Sequence, residues 1–493
     1  MIRRLAHALG RHRWFVGAAF AATLVYAWLV TLGTWRLNVA EDFGSFYDYQ
    51  AASLLAGRLD VPEEAVRGEA FEARGKLYGY FGPTPAVLRL PFVAAGVAFG
   101  QLSRTFMLAY FVASLIAAYL ILREALRSTR IDGAAEDPPP AFASIVLVAG
   151  AGWGSTIFFL GSRGFIFHEA ILAGIAFALW SAWCSLRHLR APAGRWWVGA
   201  LLCGLASVHA RPPTGLFALT LLGLVAIAAW WREGSRRWTA AHLRRAALIG
   251  SCCAVAQLSL NGVAWLKFRT FDPAPLKISR PYANPERLAA IEGRSFHAAN
   301  IPYGAYTYLV RPNLRLERGF PWIYLEARTP GRPFPSAKID LPDSTLALPW
   351  SMPGLFLLAT LGGLAAAITR PATLRPLALL ALAVLPMSIA LFAAVATAQR
   401  YTGDFCPWLI AAAAFGLAAI ESATTAWRTT GRVLTLAATL AAAAVTGAIT
   451  LHYQGAWLWG VPEETRTRYQ AMRRSVDDFL GVPPAPPRTD PAR

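Results

Sequence analysis

Charge is scarce in this chain, and acid scarcer still. Of 493 residues, 15% are charged, and 28 acids stand against 47 Lys and Arg. Cysteine is nearly as thin. Cys184, Cys203, Cys252, Cys253 and Cys406 lie in or at the ends of apolar segments, with no CxxC spacing and none in a long loop. That pattern excludes a disulfide framework and a cysteine zinc site, and leaves packing as their reading. Strand-like alternation is nearly absent, which argues against a β-barrel. No P-loop, GxGxxG or GxSxG stands in a suitable context, so nothing points to nucleotide use from the cytoplasm. No internal repeat is visible, which counts against an inverted-repeat transporter.

What the chain has instead is apolar length. It is 56% hydrophobic, in recurring runs of the length that crosses a bilayer as a helix. The fold class is therefore all-α: a polytopic membrane helical bundle. Eleven spans are expected, at 14–35, 105–122, 141–161, 166–187, 197–209, 213–231, 246–266, 346–369, 376–397, 405–421 and 432–451. The first is too long for a secretory h-region and lacks a small-residue cleavage site, so it reads as retained. These spans set a membrane module 1–266 with a first long loop 36–104, a second loop 267–345, C-terminal spans 346–451, and a tail 452–493. In the tail, Tyr469, Met472, Val476, Phe479 and Leu480 recur at helical spacing. They predict one amphipathic helix, on the membrane surface or packed on the loops, before a Pro-rich disordered end.

The net charge of +19 suggests nucleic acid, but much of the excess sits in short connectors, as the positive-inside rule expects. Nucleic-acid binding is set aside. Arg3, Arg4, Arg11 and Arg13 place the N-terminus in the cytoplasm. The loops with Arg187/Arg190/Arg195, Arg232/Arg236/Arg237/Arg244/Arg245, Arg370/Arg375 and Arg428/Arg432 should share that side. They agree only if the apolar segment Pro85–Gly100 does not cross. Its Arg89, Pro91 and internal glycines suit an interfacial helix. Both long loops and the tail are then extracytoplasmic. So are three short turns, Gly161–Glu169, His209–Thr214 and Ala398–Asp404, and the unusual polar residues gather on that face.

Each polar group has a plain reading beside a chemical one. Glu41 and Asp42, after the first span, suit a general base or a solvated loop cap. Tyr47 and Asp48 begin a surface helix running to Gly57, where Asp48 is a helix-dipole partner. Lys76, in Gly75-Lys76-Leu77-Tyr78-Gly79-Tyr80-Phe81-Gly82-Pro83, suits a phosphate or simply the interface. Arg163 precedes His168 and Glu169. Those two are adjacent and point apart around a helix, so they make no two-ligand metal face. Glu169 is a second active-site carboxylate or a dipole partner. Arg211 before two prolines, and Arg400, suit a phosphate by their planar fork. Snorkelling is the plain alternative for Arg211, and pairing with Asp404 the plain alternative for Arg400.

Together these stretches resemble the GT-C membrane glycosyltransferases, near the protein O-mannosyltransferases and lipid A aminoarabinose transferases. The resemblance rests on Glu41-Asp42 and Tyr47 leading into Ala51–Arg58, and on the Pro-containing helix from Gly82-Pro83-Thr84-Pro85 to Phe99-Gly100. It extends to Gly161-Ser162-Arg163 through Glu169 and to Gly204 through Arg211-Pro212-Pro213. It covers roughly the first 270 residues, with a weaker echo at Arg400-Tyr401. It implies an inverting transfer from a polyprenyl-phosphate sugar, on the outer side of a bacterial-type inner membrane, to a glycan, lipid or protein acceptor. Asp42 would be the base with Glu41 next, and Arg211, Arg400 and Lys76 the phosphate ligands. Tyr47, Asp48, Arg163, His168, Glu169 and Asp404 would be further site candidates. No metal ligands are assigned, though a divalent cation is left open. Acceptor specificity is expected in 267–345. Three features depart from the pattern: the order is Glu-Asp, a histidine-proline-proline motif is missing, and Glu169 stands where aspartate is usual. The competing reading is a lipid or glycan transporter, or a cell-envelope assembly subunit without catalysis. It would need charge deep within spans or paired broken helices.

Overall fold

The computed structural model of the chain describes residues 10–129, 138–228, 239–326, 334–456 and 463–483. Every one of the eleven expected spans is helical there. Among the described residues, seven helices are long and apolar enough to cross a membrane: Arg13–Val30, Ser103–Thr129, Ile166–Arg190, Ala240–Phe268, Pro371–Ala393, Gln399–Glu421 and Thr425–Gly455. The chain is an all-α polytopic membrane protein. Arg3, Arg4, Arg232, Arg236, Arg237 and the Pro-rich end lie outside the described residues.

Of the other four, two are broken for local reasons, and 197–209 is short as expected. The stretch 141–161 divides into Ala141–Gly152 and Thr156–Leu160, where the Ser155 Oγ accepts the Ile157 N–H and starts a new helix. The stretch 346–369 is interrupted by Pro353 and by a π-turn over Leu358–Gly362. That turn lies against Gly416, where any Cβ would overlap the Leu358 carbonyl. Gly194–Val208 and Pro212–Ala228 are short and joined by the tight turn at His209-Ala210-Arg211.

Ile166–Arg190 and Cys406–Glu421 form the centre, buried along most of their length in one continuous apolar cluster. The outer faces of Arg13–Val30 and Thr425–Ala456 expose Phe20, Trp28, Leu434 and Leu440, as lipid-facing helices do.

Pro85–Gly100 forms the helix Thr84–Ala94, only 11 residues. At 1.5 Å per residue it is far shorter than a hydrocarbon core of ~30 Å. It packs against the surface helix Phe46–Leu55, which ends before Gly57 at φ +68 as expected. Its buried Arg89 makes a two-pronged ion pair with Glu169 at the start of the Ile166–Arg190 helix, at 2.6 and 2.9 Å. At its N-terminus, the Thr84 N–H donates to the His209 carbonyl at 3.1 Å. A Cβ on Gly82 would overlap that carbonyl, so glycine permits the approach.

The second loop folds over the first. Arg280 bridges Glu63 and Glu72 and donates to the Arg67 carbonyl, and the Arg280 N–H donates to the Ala70 carbonyl. Within the second loop, Arg287 is clamped by Asp340. The tail helix Glu463–Phe479 packs on the loops rather than standing apart. Asp477 accepts the Phe320 N–H at 2.7 Å, Tyr469 is buried and Arg473 lies over Tyr324, while Phe479 and Leu480 stay exposed.

Both loops therefore gather at one end of the bundle. Arginine connectors mark the other end, where Arg127, Arg187 and Arg190 surround Glu124 and Arg432 pairs with Glu421. Removing one member of a fully buried ion pair leaves the other charge without compensation. Arg89→Met or Glu169→Gln is therefore expected to cost about 3–5 kcal/mol of stability. Thermal unfolding in detergent would show this as a large drop in Tm, and an unchanged midpoint would contradict the role of this pair.

Candidate functional site

Solvent access divides the loop-end polar residues into two sets. The first set is fully buried and holds the loops in place. Glu41 belongs to it, which corrects its reading as a second base. Its carboxylate is paired with Arg104, which also donates to the Thr31 and Arg36 carbonyls, and Glu41 lies against Gly164. Burial, opposed by Arg104, pushes the Glu41 carboxyl above its ordinary value.

Tyr47, Asp48 and Glu169 belong to the same set, also against expectation. The Tyr47 hydroxyl donates to the Ile166 carbonyl at 3.2 Å, and its ring faces Arg89. Asp48 sits in the first turn of its helix as predicted, but it is fully buried with Arg89 Nε 3.5 Å away. Glu169 accepts both prongs of Arg89 and the Ser103 hydroxyl at 2.7 Å, leaving no open edge toward a substrate. His168 points away from Glu169, as their adjacency requires. Its Nδ1 pairs with the Leu160 carbonyl, and its ring packs near Phe159, Phe165 and Tyr453.

The second set is half-buried and open on one side. Asp42 keeps a third of its side chain exposed and pairs with Arg67, itself half exposed. Asp42 lies within electrostatic reach of Arg163, and Arg163 within reach of Arg400. Arg163 is buried beneath this surface, with its guanidinium 3.8 Å over the Phe165 ring and hydrogen-bonded to the Tyr453 hydroxyl at 2.8 Å. Burial disfavours the Arg163 cation, an imbalance that an incoming anion would relieve.

Arg400 does not pair with Asp404, which corrects the plain reading. It makes one 3.2 Å contact with Asp343 of the second loop and lies over Phe167 and Tyr401. Its Nε has no hydrogen-bond partner among the described residues. Asp404 instead takes Arg211, through Nε and Nη2 at 2.6 to 3.2 Å. Burial opposes the Arg211 charge, but Asp404 more than offsets it and holds Arg211 above its ordinary value. With its Nε/Nη2 edge spent on Asp404, Arg211 keeps only the end-on Nη1/Nη2 edge for an anion. Gly174 makes room for it, since a Cβ there would collide with the Arg211 side chain.

Lys76 stands apart. It lies on the hairpin Phe71–Ala73/Lys76–Tyr78 and shares Asp60 with Arg58, at 3.1 Å from the lysine.

Several members were not visible in the sequence. Tyr80 is within electrostatic reach of Tyr401, Glu69, Arg211 and Arg400. Glu69 faces Arg400 and Arg287 across the junction of the two loops, and burial pushes its carboxyl up. Glu69 sits in an ordinary acidic loop with no motif, so only the docking of 267–345 brings it into the cluster. Pairing is the plain reading of Arg400 and Asp404 in their turn, and the turn at Gln399–Phe405 instead sends them to different partners.

Among the described residues, no three His, Cys, Asp or Glu side chains converge as a metal-binding group. The loop-end acids Glu41, Asp42, Asp48, Glu169, Asp343 and Asp404 each face an arginine. These residues do not fit a resident divalent cation.

No protein-family model and no curated protein matches this sequence. Among solved structures, the chain is similar to the apo crystal structure of the Archaeoglobus fulgidus oligosaccharyltransferase. The two are 14% identical with a TM-score of 0.35, over 97% of this chain and 61% of that one. The chain thus spans under two thirds of that protein's length, and the likeness is too low to carry function.

Burial, offset in part by Arg89, pushes Asp48 from 3.8 up to about 6. Between those values the folded protein binds a proton more readily than the unfolded chain. The stability this contributes is complete below the unfolded value and is lost as pH rises through about 6. Asp48→Asn should therefore raise Tm at pH 7.5 and flatten its dependence between pH 5 and 7.5. A wild-type Tm that rises steadily across that range would contradict the assignment.

Proposed function

We propose that this chain is an inverting membrane glycosyltransferase of the GT-C type, acting at the extracytoplasmic face of a bacterial inner membrane. It would transfer a sugar from a polyprenyl phosphate to an acceptor hydroxyl or amine. One observation carries the reading. At the loop-bearing end of an apolar bundle, the half-open carboxylate of the Glu41-Asp42 pair lies within electrostatic reach of Arg163, and Arg163 within reach of Arg400. A carboxylate and two guanidiniums beside lipid suit a substrate with a phosphate head and an apolar tail.

The residues divide the work by what each still has to offer. Asp42 takes the acceptor proton as the acceptor oxygen or nitrogen bonds to the anomeric carbon. The bond from that carbon to the phosphate oxygen breaks on the opposite face, so the configuration inverts. The electron pair leaves on the phosphate, whose growing charge Arg400 and Arg163 stabilise. Arg211, held by Asp404, supports Tyr401 and contributes its free edge. Phe167, Tyr80 and Tyr401 supply flat apolar walls suited to a sugar or a prenyl unit.

Transport is less well supported. Two spans are broken, 141–161 and 346–369, but the polar contact there between Thr156 and Thr402 near Met352 and Cys406 carries no charge, and the ion pairs sit at the helix ends.

Asp42→Asn is expected to lower transfer by at least about 100-fold. Expression and Tm should stay near wild type, because Asp42 is exposed and its ion pair contributes ~1 kcal/mol or less. The measurement is transfer of radiolabelled sugar from a polyprenyl-phosphate donor in membranes, with Glu41→Gln scored alongside for lost stability. Full transfer by Asp42→Asn would refute the base.

A further inference from the structure

A base already bound to a guanidinium is a poor proton acceptor. In this structure the Asp42 carboxylate is held by Arg67. The pair differs from every other ion pair around the first span. Glu41–Arg104 and Asp48–Arg89–Glu169 are sealed from water, whereas the Arg67 side chain is 54% exposed and Asp42 34%. An exposed pair is weak and opens readily. The Arg67 guanidinium lies 5.3 Å over the Phe43 ring, a surface along which it can move while keeping a cation–π contact.

The backbone points the same way. Both residues that frame the pair are non-glycine residues in the left-handed region, Phe43 at φ +57 and Arg67 at φ +43. Such conformations cost energy and persist where the surroundings hold them. Arg67 is held at its carbonyl, which accepts from Arg280 of the second loop, while among the described residues its side chain carries no hydrogen bond but the one to Asp42. The chain thus fixes the root of this arginine and leaves its head exchangeable.

We propose that Arg67 is a positioning residue that exchanges partners: it holds Asp42 in the empty site and moves to the phosphate of the lipid donor when that donor binds. This rests on the reading of Asp42 as the base. A phosphate monoester or diester competes well for a guanidinium, because it offers the same two-pronged geometry. The exchange makes release of the base depend on donor arrival. Asp42 becomes free to take the acceptor proton only when the leaving phosphate is in place, and no proton is withdrawn from an acceptor without a donor to attack. Arg67 acts through Asp42 and the phosphate, and takes no part in bond making.

The test is a binding cycle with polyprenyl monophosphate and the full chain in nanodiscs, which needs no turnover. Arg67→Ala should weaken binding about tenfold or more, the effect of losing one charge-assisted contact, and Arg67→Lys should fall between it and wild type. Asp42→Asn should tighten binding by up to about fivefold, since Arg67 no longer has to leave a carboxylate. That tightening should vanish in Arg67→Ala/Asp42→Asn. A purely structural arginine would not give this sign or this coupling. Unchanged binding in Arg67→Ala, or tightening by Asp42→Asn that persists without Arg67, would overturn the inference. Arg67 is exposed, so an unaltered Tm verifies that its variants are folded. The outcome is separable from the base assignment: an Asp42→Asn protein that still transfers sugar would remove the base, yet the binding cycle would read as before.

Discussion

Arg89 is a guanidinium with no water around it, and the loop end of the molecule is organised to satisfy it. Glu169 takes it with both oxygens, Asp48 lies 3.5 Å from its Nε, and Ser103 completes Glu169. The four residues come from the interfacial helix, the surface helix and two spans. A buried charge tolerates no slack: Glu169 takes both prongs of the guanidinium, and losing that partner costs several kcal/mol. The helix Thr84–Ala94 is therefore fixed to the bundle at one point in depth and rotation. The turn before it meets His209, the surface helix packs against it, and Asp42 emerges at the rim.

That constraint explains how ion pairs and chemistry share one set of residue types. Acids and arginines next to a membrane are costly, so Glu41, Asp48, Glu169 and Asp404 are neutralised by arginines and sealed. What remains for a ligand is the set left half open: Asp42, Glu69, Tyr80, Arg400 and Tyr401, with Arg163 just beneath. The second loop completes it through Asp343 and Arg287. On the proposed reading, function is carried by incomplete satisfaction, and the buried pairs are what allow those few groups to stay incomplete.

Much of the fold was legible in the sequence, because a bilayer imposes one length and one composition on every span. The eleven helical positions, the demotion of Pro85–Gly100, the surface helix from Phe46 and the grouping of unusual polar residues at one end all follow from that rule. The site was legible only in part. Sequence alone ranks Glu41 beside Asp42 and gives Glu169 a catalytic option, since burial is invisible in a string of letters. Their partners, Arg104 and Arg89, lie 63 and 80 residues away. Arg67 and Glu69 carry no motif, and they matter because the loop 267–345 folds onto them. Nearness in sequence also misled at Arg400 and Asp404, whose partners are Asp343 and Arg211.

The central claim is that the half-open acid and the arginines at the loop end form one site for a lipid-linked phosphate. The most direct measurement is a cryo-EM structure with a non-hydrolysable polyprenyl-phosphate sugar analogue. The account predicts phosphate density against Arg400 and Arg163, the prenyl chain leaving between apolar helices, and the anomeric carbon facing Asp42. Phosphate density at the opposite end, beside Glu124 and its arginines, or a bound analogue whose sugar lies away from Asp42, would contradict it.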